Sequence, residues 1–252
     1  MKRLGTEATL ILGIVLSAGL LFSGCGKDSG LTLPTFGEET SAIAASDGQI
    51  LKEVRVYTVG DKDRALYCTD VYDASGNVIA KRYPSGNEET FEYQNGLLLC
   101  SAYFSDSYDK LAFCSYKGDK LVSKTTTIEN KIDKTSSSET ITYSYNEDGT
   151  VHDCVSEFQS SFRVLQRTVY DYEDGLETKE TYYDIKENGT EQFLGDTFFK
   201  YDDNGNLIYE LKTGHAGEHS CSYIYDDEGR LIRKSLVKDL AQTVYEYEYI
   251  YE

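Results

Sequence analysis

The residues of this 252-residue chain with chemistry to offer are three histidines, six cysteines and 22 tyrosines, with no tryptophan beside them. His215-Ala-Gly-Glu-His219 is the one local cluster of metal-ligand type: His215, Glu218 and His219 could hold a metal through two imidazole nitrogens and a carboxylate. Gly214 and Gly217 place that cluster at a hairpin tip, where polar side chains gather for solvation alone, so no bound metal and no cofactor are expected. The acidic turns fail as calcium loops. Setting Gly205 or Gly149 at the sixth position puts Lys200 or Ser144 at the first, where an oxygen-rich acidic ligand is needed. Cys100 and Cys114 lie symmetrically about residue 107 on the apolar faces of two strands, which makes them close neighbours and a possible disulfide outside the cytoplasm. Cys68, Cys154 and Cys221 have no assignable partner. No glycine-rich phosphate loop, Gly-x-Ser-x-Gly elbow or His-Glu-x-x-His motif is present, and a non-catalytic protein is expected. Tyrosine rings could stack on a ligand. Most of them recur in register, as cross-strand packing requires, so Tyr83 and Tyr108, outside that register near loop tips, are the ones expected to meet a ligand.

The elements that position these residues fall into three segments. Residues 1–24 open with Lys2 and Arg3, continue through an apolar run over residues 8–22, and end in Ser23-Gly24 before Cys25. The run is too short to cross a bilayer and has the length of a secretory signal core. Phe-Ser-Gly-Cys resembles a bacterial lipoprotein signal, with Phe22 standing where that family more often has leucine. The resemblance implies cleavage before Cys25, lipid attachment at Cys25 and a stable membrane anchor, since two or more acyl chains hold firmly. Residues 25–49 are small and polar and read as a flexible tether. Loss of residues 1–24 takes the net charge from −18 to −19. Such acidity argues against nucleic-acid binding and for a body that stands off anionic headgroups.

Residues 50–252 are a repeat. Tyrosine followed by a glycine turn recurs at Tyr72–Gly76, Tyr93–Gly96, Tyr116–Gly118, Tyr145–Gly149, Tyr172–Gly175, Tyr201–Gly205 and Tyr225–Gly229. Asp and Asn initiate turns and glycine supplies the positive φ that closes them; the flanks alternate with period two, as strands do. Looser turns fall between these units. The expectation is an all-β domain of roughly sixteen strands in one antiparallel meander, an extended, twisted or curled sheet after an N-terminal signal helix. Phe199, Tyr201, Leu207, Tyr209 and Leu211 are expected on one face, with Glu210 and Lys212 on the other.

The Tyr-Asp-x-x-Gly-Asn/Arg-Leu-Ile pattern, clearest over residues 199–233, resembles the YD repeats of the RHS family. That resemblance implies strips of antiparallel sheet, which in long arrays coil into cargo-holding shells. About seven units are too few for a closed shell by that analogy, and the chain contains no Asp-Pro-x-Gly segment, so the toxin function is not implied. A weaker likeness to cell-wall-binding aromatic repeats lacks the tryptophans those use. The expected function is a cell-envelope lipoprotein whose YD-repeat-like sheet binds or scaffolds a protein or glycan partner. The alternatives are an accessory extracellular hydrolase and a cargo- or immunity-type protein associated with a larger RHS toxin.

Replacing the lipid-attachment residue tests the anchor. Cys25→Ser should release the protein from membranes or leave it unprocessed, as read by fractionation and intact mass. Normal cleavage with unchanged membrane retention would contradict the lipoprotein reading.

Overall fold

The computed structural model describes residues 49–60, 63–214, 217–238 and 241–251. The signal segment, Cys25 and His215 therefore lie outside the described residues. All sixteen elements are strands: β1 Leu51–Val59, β2 Arg64–Tyr72, β3 Val78–Arg82, β4 Glu88–Gln94, β5 Leu97–Phe104, β6 Tyr108–Lys117, β7 Lys120–Asn130, β8 Ser136–Tyr145, β9 Val151–Gln159, β10 Arg163–Glu173, β11 Leu176–Ile185, β12 Glu191–Tyr201, β13 Leu207–Gly214, β14 His219–Tyr225, β15 Leu231–Lys238 and β16 Ala241–Tyr251. Each pairs antiparallel with its neighbours in sequence, and β1 pairs with β16, so the meander is a closed barrel. This corrects the expectation of an extended, twisted or curled sheet with too few units to close. Seven turn units suffice because the first and last strands supply an eighth hairpin-like junction, with Tyr251 opposite Leu51.

The local chemistry of each unit is repeated around the ring. In the turn after Tyr72, the Asp73 carboxylate accepts from the amides of Ser75 and Asn77, and the Gly76 amide donates to the Asp73 carbonyl. Asp202 and Asp226 build the same turn at Gly205 and Gly229. Asn95-Gly96 and Asp174-Gly175 make tighter turns in which both residues have positive φ, the twist that two-residue hairpin loops favour. Beyond each turn the ladder carries one extra residue. Tyr201 faces Leu207 but Lys200 faces Tyr209, which leaves Ile208 as a bulge. Ile79, Leu99, Val122, His152, Thr178 and Ile232 take the equivalent place, and Lys52 takes it where β16 meets β1. Bulges bend a strand and increase its twist. A regular set of eight curves the sheet until its edges meet.

The bulge also reverses which side chains face inward. Phe199, Tyr201 and Leu207 lie on the buried wall as expected, but Tyr209 and Leu211 turn outward while Glu210 and Lys212 turn inward. Turn register rather than a bulge separates Cys100 from Cys114. Phe104 opposes Asp109, so Cys100 faces Phe113 rather than Cys114. Cys114 shares the inner wall with Lys124; Cys100 points the other way, and all five described cysteines are free thiols. The possible Cys100–Cys114 disulfide is not formed.

The barrel has no single core. Apolar packing is divided among three patches on the inner wall, around Val54 and Tyr72, around Leu121 and Tyr143, and around Phe199 and Leu207. Close backbone contacts join only strands that neighbour each other in the ring. Sixteen strands ~4.8 Å apart, tilted as barrels require, make a wall on the order of 30 Å across, wide enough for an aqueous interior. The outer wall is also built for water. Arg167 bridges Asp153 and Glu191 at 2.6 and 3.0 Å, Lys179 meets Asp196 at 3.1 Å, and Arg64 meets Glu246 at 3.3 Å. Charge on a lipid-facing barrel wall costs roughly 2–4 kcal/mol per Arg or Lys at mid-bilayer. Arg167, Lys179 and Asp196 lie well inside their strands, whereas Arg64 and Glu191 open theirs, and exposed apolar side chains such as Phe113, Phe198 and Ile224 stand among these pairs.

Two glycines separate turn strain from wall packing. Gly205 has a φ of +83° and open space around a would-be Cβ, so Gly205→Val should cost roughly 1–2 kcal/mol from the left-handed backbone alone. At Gly195 a Cβ would stand 2.1 Å from the Thr213 carbonyl oxygen. Gly195→Ala should therefore destabilise more than Gly205→Val in urea denaturation. The reverse order would contradict the β12–β13 approach.

Candidate functional site

Alternation sends every second residue of each strand inward, and on two adjoining sectors of the inner wall this assembles polar side chains rather than a core. The first sector is an arc of tyrosines. Tyr245 of β16 lies 5.7 Å from Tyr67 of β2, Tyr67 lies 6.3 Å from Tyr83 at the end of β3, and Tyr83 lies 6.0 Å from Tyr103 of β5. Tyr103 stacks on Tyr108 of β6 at 5.2 Å. The first three contacts are edge-on, so successive rings alternate between showing a face and an edge. All five lie toward the rim opposite the glycine turns. Tyr67 is 49% exposed and Tyr108 38%, which is unusual for large aromatics on a concave wall and leaves ring surface free. Asn87 donates to the Tyr103 hydroxyl at 3.1 Å, and Lys110 pairs with Glu89 at 3.3 Å beside it. Tyr83 and Tyr108, the two singled out by sequence, are thus brought together with three tyrosines that sequence reasoning left in the packing set.

The second sector is buried charge on β11 to β15. Glu180, Thr197, Lys212 and His219 oppose one another across four strands. The Tyr182 hydroxyl bonds Glu180 and lies 3.0 Å from the Thr197 hydroxyl. The Tyr223 hydroxyl donates to Glu210 at 2.9 Å. Lys212 stands 4.3 Å over the Tyr182 ring and Lys234 stands 5.3 Å over the Tyr223 ring, each an ammonium held by an aromatic face. Desolvation and the adjacent carboxylates Glu180 and Glu210 push Glu177 well above the usual carboxylate range. Burial pushes Glu180 up to about 7, against the pull of Tyr182 and Lys212. Glu210 is raised by burial, and Lys212 is lowered by it. Chemically this sector can hold a proton between carboxylates and present two cations. Sequence analysis missed it because a strict period of two places Glu210 and Lys212 outside. The doublets Leu207-Ile208 and Leu231-Ile232, two adjacent apolar residues in an otherwise alternating strand, carry the signal of the bulge.

The other sequence candidates do not converge. Glu218 is exposed, and His219 stands directly opposite Lys212 and Lys238, a positive setting that disfavours a cation. Among the described residues no group of three or more metal-ligating side chains is assembled. Tyr72, Tyr93, Tyr145, Tyr172, Tyr201 and Tyr225 sit at their turns, with Gly76, Gly96, Gly149, Gly175, Gly205 and Gly229 at positive φ. Cys68, Cys154 and Cys221 are buried; burial pushes the Cys154 and Cys221 thiols up to about 11, which leaves them poor nucleophiles.

No protein-family model and no curated protein sequence matches the chain. Among solved structures, a porin-like protein from Bacteroides uniformis is similar at 10% identity and a TM-score of 0.47, over 79% of this chain and 96% of that one. The TcdB2-TccC3-Cdc42 complex is similar at 11% identity and a TM-score of 0.22, over 82% of this chain and 16% of that one. Likenesses this slight carry no argument about function.

The Glu180 proton has a thermodynamic consequence. The folded barrel holds it more tightly than the unfolded chain does, so its contribution to stability is full below the ordinary carboxylate range and is lost as pH rises through about 7. By linkage this is worth at most about 3–4 kcal/mol. At the acid side, Asp73 and Asp202 are held below the usual range; hydrogen bonds from Asn77 and Asn206 and their turns outweigh desolvation, the largest single influence. Thermal stability should therefore peak near pH 5 and fall between pH 5 and 8. Glu180→Gln should flatten that fall, and an unchanged slope in the variant would contradict the assignment.

Proposed function

We propose that this chain is a lipid-anchored protein of the bacterial envelope whose barrel binds a ligand in its lumen and catalyses nothing. The observation that carries this reading is the arc Tyr245–Tyr67–Tyr83–Tyr103–Tyr108, five rings on a concave wall with two of them half-open to solvent. A packed core would close over such rings. A binding wall leaves them free, because an aromatic face with a hydroxyl at its tip serves ligands that are apolar on one side and polar on the other. Envelope glycans have that character.

The chain path supports the orientation this function needs. β1 begins at Leu51, on the glycine-turn rim. A segment joining Cys25 to β1 would enter the barrel at that rim. Anchored at Cys25, the barrel would turn its acidic glycine turns toward the membrane and its tyrosine arc away from it. An outer wall of ion pairs suits a barrel that stands in water.

A hydrolase is the second reading, because Glu177, raised by burial and by its carboxylate neighbours Glu180 and Glu210, is the kind of acid–base set such an enzyme uses. Glu180 and Glu210 are bonded to Tyr182 and Tyr223 of the same wall, which favours binding and stability over chemistry.

The chain's lack of tryptophan makes the test direct, since tyrosine emission is unmasked. Titration with envelope glycan fragments should change that emission, and Tyr67→Ala or Tyr108→Ala should weaken binding by about tenfold each, in line with the ~1 kcal/mol of an aromatic contact. Unaltered affinity in both variants would contradict a lumenal site at the arc.

A further inference from the structure

The tyrosine arc ends on a pair of lysines. Tyr245, its terminal ring, lies directly opposite Lys234 in the β15–β16 ladder. Lys234 in turn lies over Tyr223, whose hydroxyl bonds Glu210, and Lys212 is two residues along β13 from Glu210. Aromatic surface and cationic groups therefore form one continuous sector of wall from β6 through β16 and β15 to β13.

The two lysines are unusual in what they lack. Lys212 is 6% exposed and Lys234 8%, yet neither forms an ion pair or hydrogen bond with any described residue. The ring faces of Tyr182 and Tyr223 are their close partners, while the Glu180 and Glu210 carboxylates act on Lys212, and Glu210 on Lys234, through space without direct contact. Buried charge is ordinarily paired, because an ammonium stripped of water costs several kcal/mol. The carboxylates that could pair with them are otherwise engaged: Glu180 with the Tyr182 hydroxyl and Glu210 with the Tyr223 hydroxyl. An ammonium has three donors and no acceptor, so each lysine retains donor capacity that the protein leaves unused.

We infer that the lumenal ligand is an acidic oligosaccharide, a chain of sugar rings bearing carboxylates, whose rings lie along the tyrosine arc and whose carboxylate is taken by Lys234 and Lys212. This rests on the reading that the lumen binds a ligand, and it names that ligand's chemistry. The successive ring spacings of 5.2 to 6.3 Å are close to the length of one pyranose unit. Alternating faces and edges suit a chain whose rings present apolar faces and hydroxyl-bearing edges. A carboxylate at its end supplies the direct charge-assisted hydrogen bond that Lys212 and Lys234 do not make to Glu180 or Glu210. Glu177, Glu180, Glu210, His219 and Lys238 are the titratable groups that face the pair from neighbouring strands. The carboxylates among them are raised toward neutrality, which lessens their competition with an incoming anion.

The test compares trigalacturonate with the matching neutral galactose trisaccharide, by calorimetry on the full mature chain at low and moderate salt. The acidic probe should bind about tenfold or more tighter, with an advantage that shrinks as salt rises. Lys212→Gln and Lys234→Gln should remove the advantage and leave neutral binding in place, while the charge-retaining Lys→Arg variants, which guard against misfolding of the first pair, should keep it. Equal affinity for the two probes, or a preference that survives in both Gln variants, overturns the acidic-ligand assignment and leaves the lumenal reading standing. Failure of both probes to bind overturns both.

Discussion

A tyrosine hydroxyl reaching back to a bulged strand holds one unit of this barrel to the next. Tyr116 donates to the Leu98 carbonyl at 2.9 Å, Tyr145 to that of Leu121 at 2.6 Å, Tyr225 to that of Leu207 at 2.9 Å, and Tyr249 to that of Leu231 at 2.9 Å. Each acceptor is the residue just before a bulge, where the ladder is interrupted and a carbonyl is left for an outside donor. The bulge supplies curvature and the tyrosine fixes its angle, so one short sequence element repeated around the ring both bends the sheet and locks the bend. Tyr249 makes this contact at the closing junction, and Tyr251 then faces Leu51 beside the last bulge. The first and last strands meet by the same chemistry that joins the units between them.

From that constraint comes a wide barrel with a divided interior. A ring of sixteen strands cannot be filled by its own side chains, so the apolar residues collect in three wall patches and the rest of the inner wall is polar. Burial of Glu180, Glu210, Lys212 and Lys234 in such a wall is tolerable because tyrosine hydroxyls and ring faces attend each of them. The chain's many tyrosines are one device serving three ends: clamps between units, partners for buried charge, and open ring surface at the rim.

Much of the architecture was legible in the sequence. The tyrosine–glycine units, the all-antiparallel meander and the number of strands follow from turn chemistry and period-two alternation, and the inward Tyr245, Tyr247, Tyr249 and Tyr251 are plain from their alternation with Glu246, Glu248 and Ile250. Closure was not legible, because it depends on curvature summed over eight bulges and on a pairing between residues nearly two hundred positions apart. The candidate site was half legible for the same reason. Tyr83 and Tyr108 announce themselves by falling outside the repeat register, whereas Lys212 and Glu210 lie past a bulge that reverses inside and outside. The Cys100–Cys114 expectation failed on a turn whose centre is half a residue from the one assumed.

The account depends most on the junction of β1 with β16, and amide hydrogen exchange on the native protein tests it directly. In a closed ring neither strand is an edge, so the ladder amides of residues 53–59 and 244–250 should be as strongly protected as those of β7 and β8. Rapid exchange at alternate amides of both strands, the pattern of two free edges, would contradict closure and with it the lumen on which the proposed function stands.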